Sequence, residues 1–255
     1  RNFQVADIPA QHITHVNYGF VDAGANGTCR IIDEWAVYNH QGGNFANLRA
    51  LIAEHPHLKV MLSLGGWTRS GHFSNLALTP ESRRIFVDSC IQLMLDQGFH
   101  GIDVDWEYPV GGGLGSNVVR PEDRINYTLL LAEFRRQLDA RGDYLLTIAA
   151  PAGPTTIGNL DLAGIAAQVD WINLMAYDLN GGWSPVTGHN APMRAAEGAQ
   201  GLEAQVSVEA AVQAYINAGV PPRKLVLGVA FYGRGFADVE PINNGLQQPF
   251  LGLPR

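Results

Sequence analysis

Short runs of apolar, mostly β-branched residues alternate along the chain with longer stretches whose apolar positions recur every three or four residues. The runs read as strands at 13–20, 59–64, 101–108, 144–150, 169–177 and 224–231. The periodic stretches read as helices at 45–54, 80–97, 121–141 and 206–217, with a weaker pattern at 157–167. Local punctuation agrees: Thr79 can cap the helix at 80, Pro80 suits its first turn, and Gly98 and Gly142 follow helix ends. The strand runs are almost continuously apolar, as expected when both faces of a parallel sheet are covered, so the alternation implies βαβ units.

Six strands would fit an open, doubly wound sheet or most of an eight-stranded barrel. The positions of the polar residues separate the two. Ser63, Asp103, Asp105, Glu107, Tyr177 and Tyr232 fall at or near the C-terminal ends of strands. Barrel enzymes place their catalytic groups there, whereas an open sheet gathers them at one switch point. The expected fold is therefore α/β, a TIM (β/α)8-type barrel with six of eight strands readable. The Gly111-Gly112-Gly113 run follows a strand but opens no helix; it reads as a flexible loop rather than a nucleotide site.

Composition narrows the partners. Lys and Arg number 17 against 24 Asp and Glu, a formal net charge of −7. An acidic chain without basic clusters is a poor partner for nucleic acid. No apolar run approaches the roughly 18 residues of a membrane span. The chain starts at Arg1 without a signal-peptide pattern, so any targeting segment was removed or lies outside it. Cys29 and Cys90 read as two unpaired thiols. His15, His40 and His72 have no ligand spacing and read as structural.

The densest chemistry lies in Gly101–Pro109, GIDVDWEYP. Side chains alternate along a strand, so Asp103, Asp105 and Glu107 share one face, with neighbouring Cα atoms about 6.6 Å apart. Ile102, Val104 and Trp106 take the other face and can pack against helices. Three carboxyls on a buried face are costly unless neutralised, and their proximity raises at least one pKa, so the group is expected to hold a proton. A carboxylic acid protonated near neutral pH is what a general acid needs. Oxygen ligands also suit magnesium or calcium, but no second Asp, Glu or His cluster completes such a site, so neither metal nor cofactor is expected.

These residues resemble the signature strand of glycoside hydrolase family 18, the chitinase family: Asp-x-Asp-x-Glu followed by Tyr108-Pro109. Three further family motifs follow the same order: Ser63-Leu64-Gly65-Gly66 before Trp67, Met175-Ala176-Tyr177-Asp178, and Tyr232-Gly233-Arg234. The resemblance runs from Arg1 to about Phe236 and is closest to bacterial-type enzymes with a small α+β insertion. It implies a catalytic barrel over 1–236, incomplete at both ends, and the start of the insertion over 237–255. Arg1-Asn2-Phe3 resembles the loop after the family's first strand, so the first and eighth strands are expected outside this chain. His100 stands where many members have an Asp, at a position that reads as structural.

The resemblance implies hydrolysis of β-1,4-linked N-acetylglucosamine polymers with retention, the substrate's 2-acetamido oxygen acting as nucleophile to give an oxazolinium ion. Glu107 would protonate the leaving oxygen and then activate water. Asp105 would orient the acetamido N–H, Asp103 would hold the proton that frees Asp105, and Tyr177 would bond the acetamido carbonyl. Ser63 would support the acids by hydrogen bonding. Trp67 and Trp183 are expected as sugar platforms. Phe20, Tyr108, Met175, Asp178 and Tyr232 complete the expected substrate-binding set, and Arg234 either reaches the sugar or pairs with a carboxylate. Trp106 and Trp171 read as core, and Trp35 has no assigned role. The partners implied are chitin and chito-oligosaccharides, in a secreted protein whose oligomeric state the sequence leaves open. Two alternatives share the barrel: a chitin-binding lectin, against which the presence of Glu107 argues, and an endo-β-N-acetylglucosaminidase acting on N-glycans.

Overall fold

A computed structural model describes residues 3–197 and 201–254. Arg1 and Asn2 of the Arg1-Asn2-Phe3 segment lie outside the described residues. The chain falls into two compact units, one up to Ile148 with Ala167–Asp170, the other Ala149–Ala166 with the residues from Trp171 onward.

The first unit opens with β1 (His15–Ala23), a short antiparallel β2 (Cys29–Arg30), α1 (Glu34–Tyr38) and α2 (Asn44–Glu54). β3 (Lys59–Gly65), α3 (Phe73–Leu76), α4 (Pro80–Asp96), β4 (Gly101–Asp105) and α5 (Asp123–Asp139) follow, and β5 (Leu145–Pro151) begins in it. β1, β3, β4 and β5 pair in parallel in that order, with β2 on the outer edge of β1. β3 is buried from Val60 onward and β4 throughout, which accounts for their unbroken apolar character.

α4 starts as its sequence requires. The Thr79 hydroxyl accepts the Ser82 N–H while the Ser82 hydroxyl accepts the Thr79 N–H, and Pro80 occupies the first turn. Its face Phe86, Val87, Cys90, Ile91 and Met94 is fully buried, as are Leu130, Leu131, Phe134 and Leu138 of α5. Rings connect these helices to β4: Tyr127 lies 5.2 Å from Trp106, Trp106 5.3 Å from Phe73, Phe73 6.0 Å from Phe86, and Phe86 6.1 Å from Phe134. Trp106 is thus core, as its strand parity predicts. Each such ring pair adds about 1 kcal/mol beyond its buried area.

The second unit takes the end of β5 and holds α6 (Pro154–Gly158), most of α7 (Leu162–Gln168), β6 (Trp171–Met175), α8 (Val208–Asn217) and β7 (Leu225–Leu227). β6 and β7 are parallel, Ile172 opposite Leu225 and Leu174 opposite Leu227. Ser207 caps α8 through the Ala210 N–H, and the Tyr215 hydroxyl of that helix donates to Pro151 O at 2.8 Å. The stretch expected as one helix at 157–167 divides at Gly158-Asn159, and β7 ends before 231. Trp171 is half-buried rather than core, because its indole N–H donates along the strand to Asn173 Oδ1.

Candidate active site

Parallel register builds the centre of the acid row. Ser63 on β3 lies opposite Asp103 on β4, and Asp103 opposite Thr147 on β5. The Ser63 hydroxyl donates to Asp103 Oδ2 at 2.8 Å and the Thr147 hydroxyl to Oδ1 at 2.5 Å. Asp103, 2% exposed, therefore has a hydroxyl partner on each oxygen.

Asp105 receives no such support. It is 5% exposed, and its buried Oδ1 has no hydrogen-bond partner. Burial first, then the charges of Glu107 and Asp103, push its pKa up to about 8. The acid row thus keeps a proton at neutral pH, as its sequence requires. Desolvation is the largest cause of that rise on Asp105.

Glu107 lies two residues past the end of β4 rather than within it. The ladder stops because the backbone there is engaged elsewhere. The Asp105 carbonyl accepts the Gly66 N–H at 2.8 Å, the Glu107 N–H donates to Ser70 Oγ at 2.8 Å, and the Glu107 carbonyl accepts Asn117 Nδ2 at 2.9 Å. Ser70 is fully buried, and its hydroxyl donates toward Gly66 O and Asp105 O. Gly113 presses against the Glu107 carbonyl so closely that any Cβ would collide with it. The glycine run read as a flexible loop is, at Gly113, a close-approach position.

Trp67 and Phe20 near the acid row are each nearly half exposed. Trp67, at 47%, meets Tyr108 edge-on at 6.5 Å between centroids. Phe20, at 46%, sits in a register break of β1 between Gly19 and Val21, with its ring against Gly66. A bulge of this kind re-aims a side chain at the end of a strand. A cavity of about 290 Å³ opens beside Phe20, lined also by Tyr18, Asp33, Phe45 and Arg69. None of the three acids lines it, so the acid row and not this cavity marks the chemistry. His100 supports the sheet itself: its Nδ1 accepts the Val60 N–H at 3.1 Å, and burial, then Lys59, lowers its pKa. That agrees with a structural reading of the position.

The second unit carries its own cluster. Arg234 Nε donates to Asp178 Oδ1 at 2.7 Å, and its guanidinium lies 5.2 Å from the Trp183 ring and 5.3 Å from the Tyr232 ring. Of the two readings left open for Arg234, pairing with a carboxylate is realised. Burial alone would raise the Asp178 pKa, but bonds from Arg234 and Tyr232 and the Arg234 charge lower it overall. Asp178 is further fixed by its N–H to Asn190 Oδ1 at 2.9 Å. Tyr177 meets Tyr232 edge-on at 6.1 Å, Met175 closes β6 half-buried, and Trp183 is 61% exposed. The sequence reading did not find Thr147, Ser70, Asn117 or Gly113. Thr147 left a trace, as the one hydroxyl in the apolar run of β5.

Among the described residues, no group of three or more His, Cys, Asp or Glu side chains is disposed to hold a metal ion. No helix among them is long and apolar enough to cross a membrane.

Residues 1–250 match the family described as glycosyl hydrolases family 18. The chain is 40% identical over 301 residues to Chitinase A1 of Niallia circulans, covering 99% of this chain and 43% of that protein. It is 41% identical over 274 residues to Chitinase 1 of Aphanocladium album, covering 99% of this chain and 61% of the relative. It thus spans about half the length of these curated relatives. Its fold superposes with a TM-score of 0.91 on a Group IV chitinase of Ostrinia furnacalis solved with allosamidin, at 36% identity, covering 99% of this chain and 67% of that one.

Proposed function

This chain belongs to glycosyl hydrolases family 18, whose barrel is its fold class, and on that premise we propose that it is the catalytic part of a chitinase. The observation that carries the reading is the acid row: Asp103 supplied with two hydroxyl donors, Asp105 kept protonated with one oxygen unpartnered, and Glu107 clamped through its backbone beside them.

A buried carboxyl oxygen without a partner calls for a donor, and the N–H of a 2-acetamido sugar supplies one. With that bond made, the acetamido oxygen can attack the anomeric carbon. Glu107 gives its proton to the leaving glycosidic oxygen, and the bond to that oxygen breaks. The product sugar is then an oxazolinium ion, whose positive charge the carboxylates stabilise. Glu107, now ionised, removes a proton from water, which opens the ring and restores the acetamido group with net retention. The substrate class is β-1,4-linked N-acetylglucosamine, from chitin or its oligomers.

Trp67, Tyr108 and Phe20 offer ring faces for sugars in the first unit. Trp183, Tyr232, Asp178 and Arg234 form a sugar-binding surface in the second, and Tyr177 and Met175 keep the roles their motif implies. The segment 237–255 is read as the start of an α+β insertion after a barrel over 1–236. Chitin is a polymer met outside cells, so the protein is placed there too.

The test is to incubate the purified protein with a fluorogenic chitobioside and, separately, with a high-mannose glycoprotein. Release of fluorophore without glycan release is expected. Chitin binding without hydrolysis would point to a lectin, and glycan release to an endoglycosidase.

A further inference from the structure

The proposed chemistry makes no use of β2, whose two residues hold it to β1 through the pairs Asp22 with Arg30 and Ala23 with Cys29. A second attachment runs to α4. The Cys29 N–H donates to Ser89 Oγ at 2.8 Å, and that hydroxyl donates onward to Phe86 O at 2.7 Å. This bond places Cys29 against the turn of α4 that carries Cys90, the residue directly after Ser89, so the two cysteines are neighbours. Cys90 is fully buried and Cys29 is half-buried. Two neighbouring cysteines, one of them partly exposed, are the starting arrangement for thiol–disulfide exchange.

We propose that Cys29 and Cys90 form a dithiol site that closes to a disulfide by exchange with a small-molecule disulfide of the glutathione type, stapling β2 to α4. The reaction balances in two steps. The Cys29 thiolate attacks one sulfur of the reagent, forming a mixed disulfide and releasing one thiolate. The Cys90 thiolate then attacks Cys29 Sγ, forming the internal bond and expelling the second thiolate. The two protons leave the protein thiols and end on the two released thiols, and the reagent is the species reduced. Burial holds the Cys90 thiol well above its ordinary pKa, so the second step is the slower one. The closed loop spans about 60 residues, long enough for the cross-link to remove substantial entropy from the unfolded chain. It would secure the edge of β1 near Phe20 and Asp22.

The test uses the purified native protein, equilibrated with oxidised glutathione and compared with a reduced sample. Both thiols should become untitratable, and the mass should fall by two hydrogens with no glutathione added. A digest should contain a Cys29–Cys90 linked peptide that separates on reduction. The oxidised protein should melt higher than the reduced one by on the order of 5 °C. Cys29→Ser should show neither the link nor the shift, and Cys90→Ala should stop at a glutathione adduct on Cys29. Two titratable thiols after equilibration, a lasting adduct in the wild type, links only between molecules, or an oxidised form that melts no higher would each overturn the proposal. None of these readouts involves sugar cleavage, so the proposal stands or falls separately from the proposed activity.

Discussion

Asp103 and Asp105 stand two residues apart on one strand face, yet only Asp103 has its oxygens supplied with hydroxyl donors. That difference has a thermodynamic consequence. The folded-state pKa of Asp105 is raised from 3.8 to about 8, so folding favours its protonated form. Its stabilising contribution is complete below about pH 4 and is lost as pH rises toward 8. Asp105→Asn mimics the protonated side chain without titrating. The variant should match the wild type near pH 4 and exceed it in stability at pH 8 by on the order of a few kcal/mol. Denaturant titrations at both pH values check this; a difference independent of pH would remove the proton from Asp105. Activity should fall in the same variant. Glu107→Gln tests the other half of the site, keeping shape while removing the transferable proton. Turnover should drop by about 10² to 10⁴-fold with chitin-oligomer binding retained, and near-wild-type rates would take Glu107 out of its role.

At the level of elements, the acid row depends on a strand that ends early. β4 stops at Asp105, and Glu107 is held by groups from two flanking segments, Ser70 after β3 and Asn117 before α5. Trp106, fixed by the stacked Phe73 ring and by Tyr127, anchors the residue between the two acids in the helical layer. Gly113 is where this arrangement is most sensitive, because a methyl group there has no room beside the Glu107 carbonyl. Gly113→Ala should shift the Glu107 peptide and lower kcat by about 10 to 10²-fold, with a smaller effect on KM. The far-UV circular dichroism should stay as in the wild type. An unchanged kcat would show that the loop yields without moving Glu107.

For the molecule as a whole, the family assignment and the proposed mechanism make a joint prediction. If the substrate's own acetamido group is the nucleophile, a thiazoline analogue of the oxazolinium ion should inhibit by at least about 10²-fold more tightly than free N-acetylglucosamine. A covalent sugar ester on Asp105, detected by mass spectrometry after rapid quenching, would contradict that mechanism. Chelation offers a second check. Three carboxyls on one face could also serve a divalent cation, so EDTA should leave chitobioside hydrolysis unchanged, and a loss restored by magnesium or calcium would favour the metal reading.

Local pattern was enough for the long helices and the parallel strands, because burial of one face or two imposes its period directly on neighbouring residues. The motif spacing in GIDVDWEYP was enough to name the acids and to send Trp106 to the core, since strand parity acts within a few residues. Elements of two to five residues, such as β2, α1 and α3, carry too few positions to show a period. Interactions across long separations also left little trace. Ser63, Asp103 and Thr147 meet because residues forty or more positions apart in the chain share a register. The pairing of Arg234 with Asp178, 56 residues away, appears only in the fold. The environment of each acid was beyond the sequence altogether: the two aspartates are chemically identical, and only the fold buries both while bringing hydroxyls to Asp103 and leaving a buried oxygen of Asp105 without a partner.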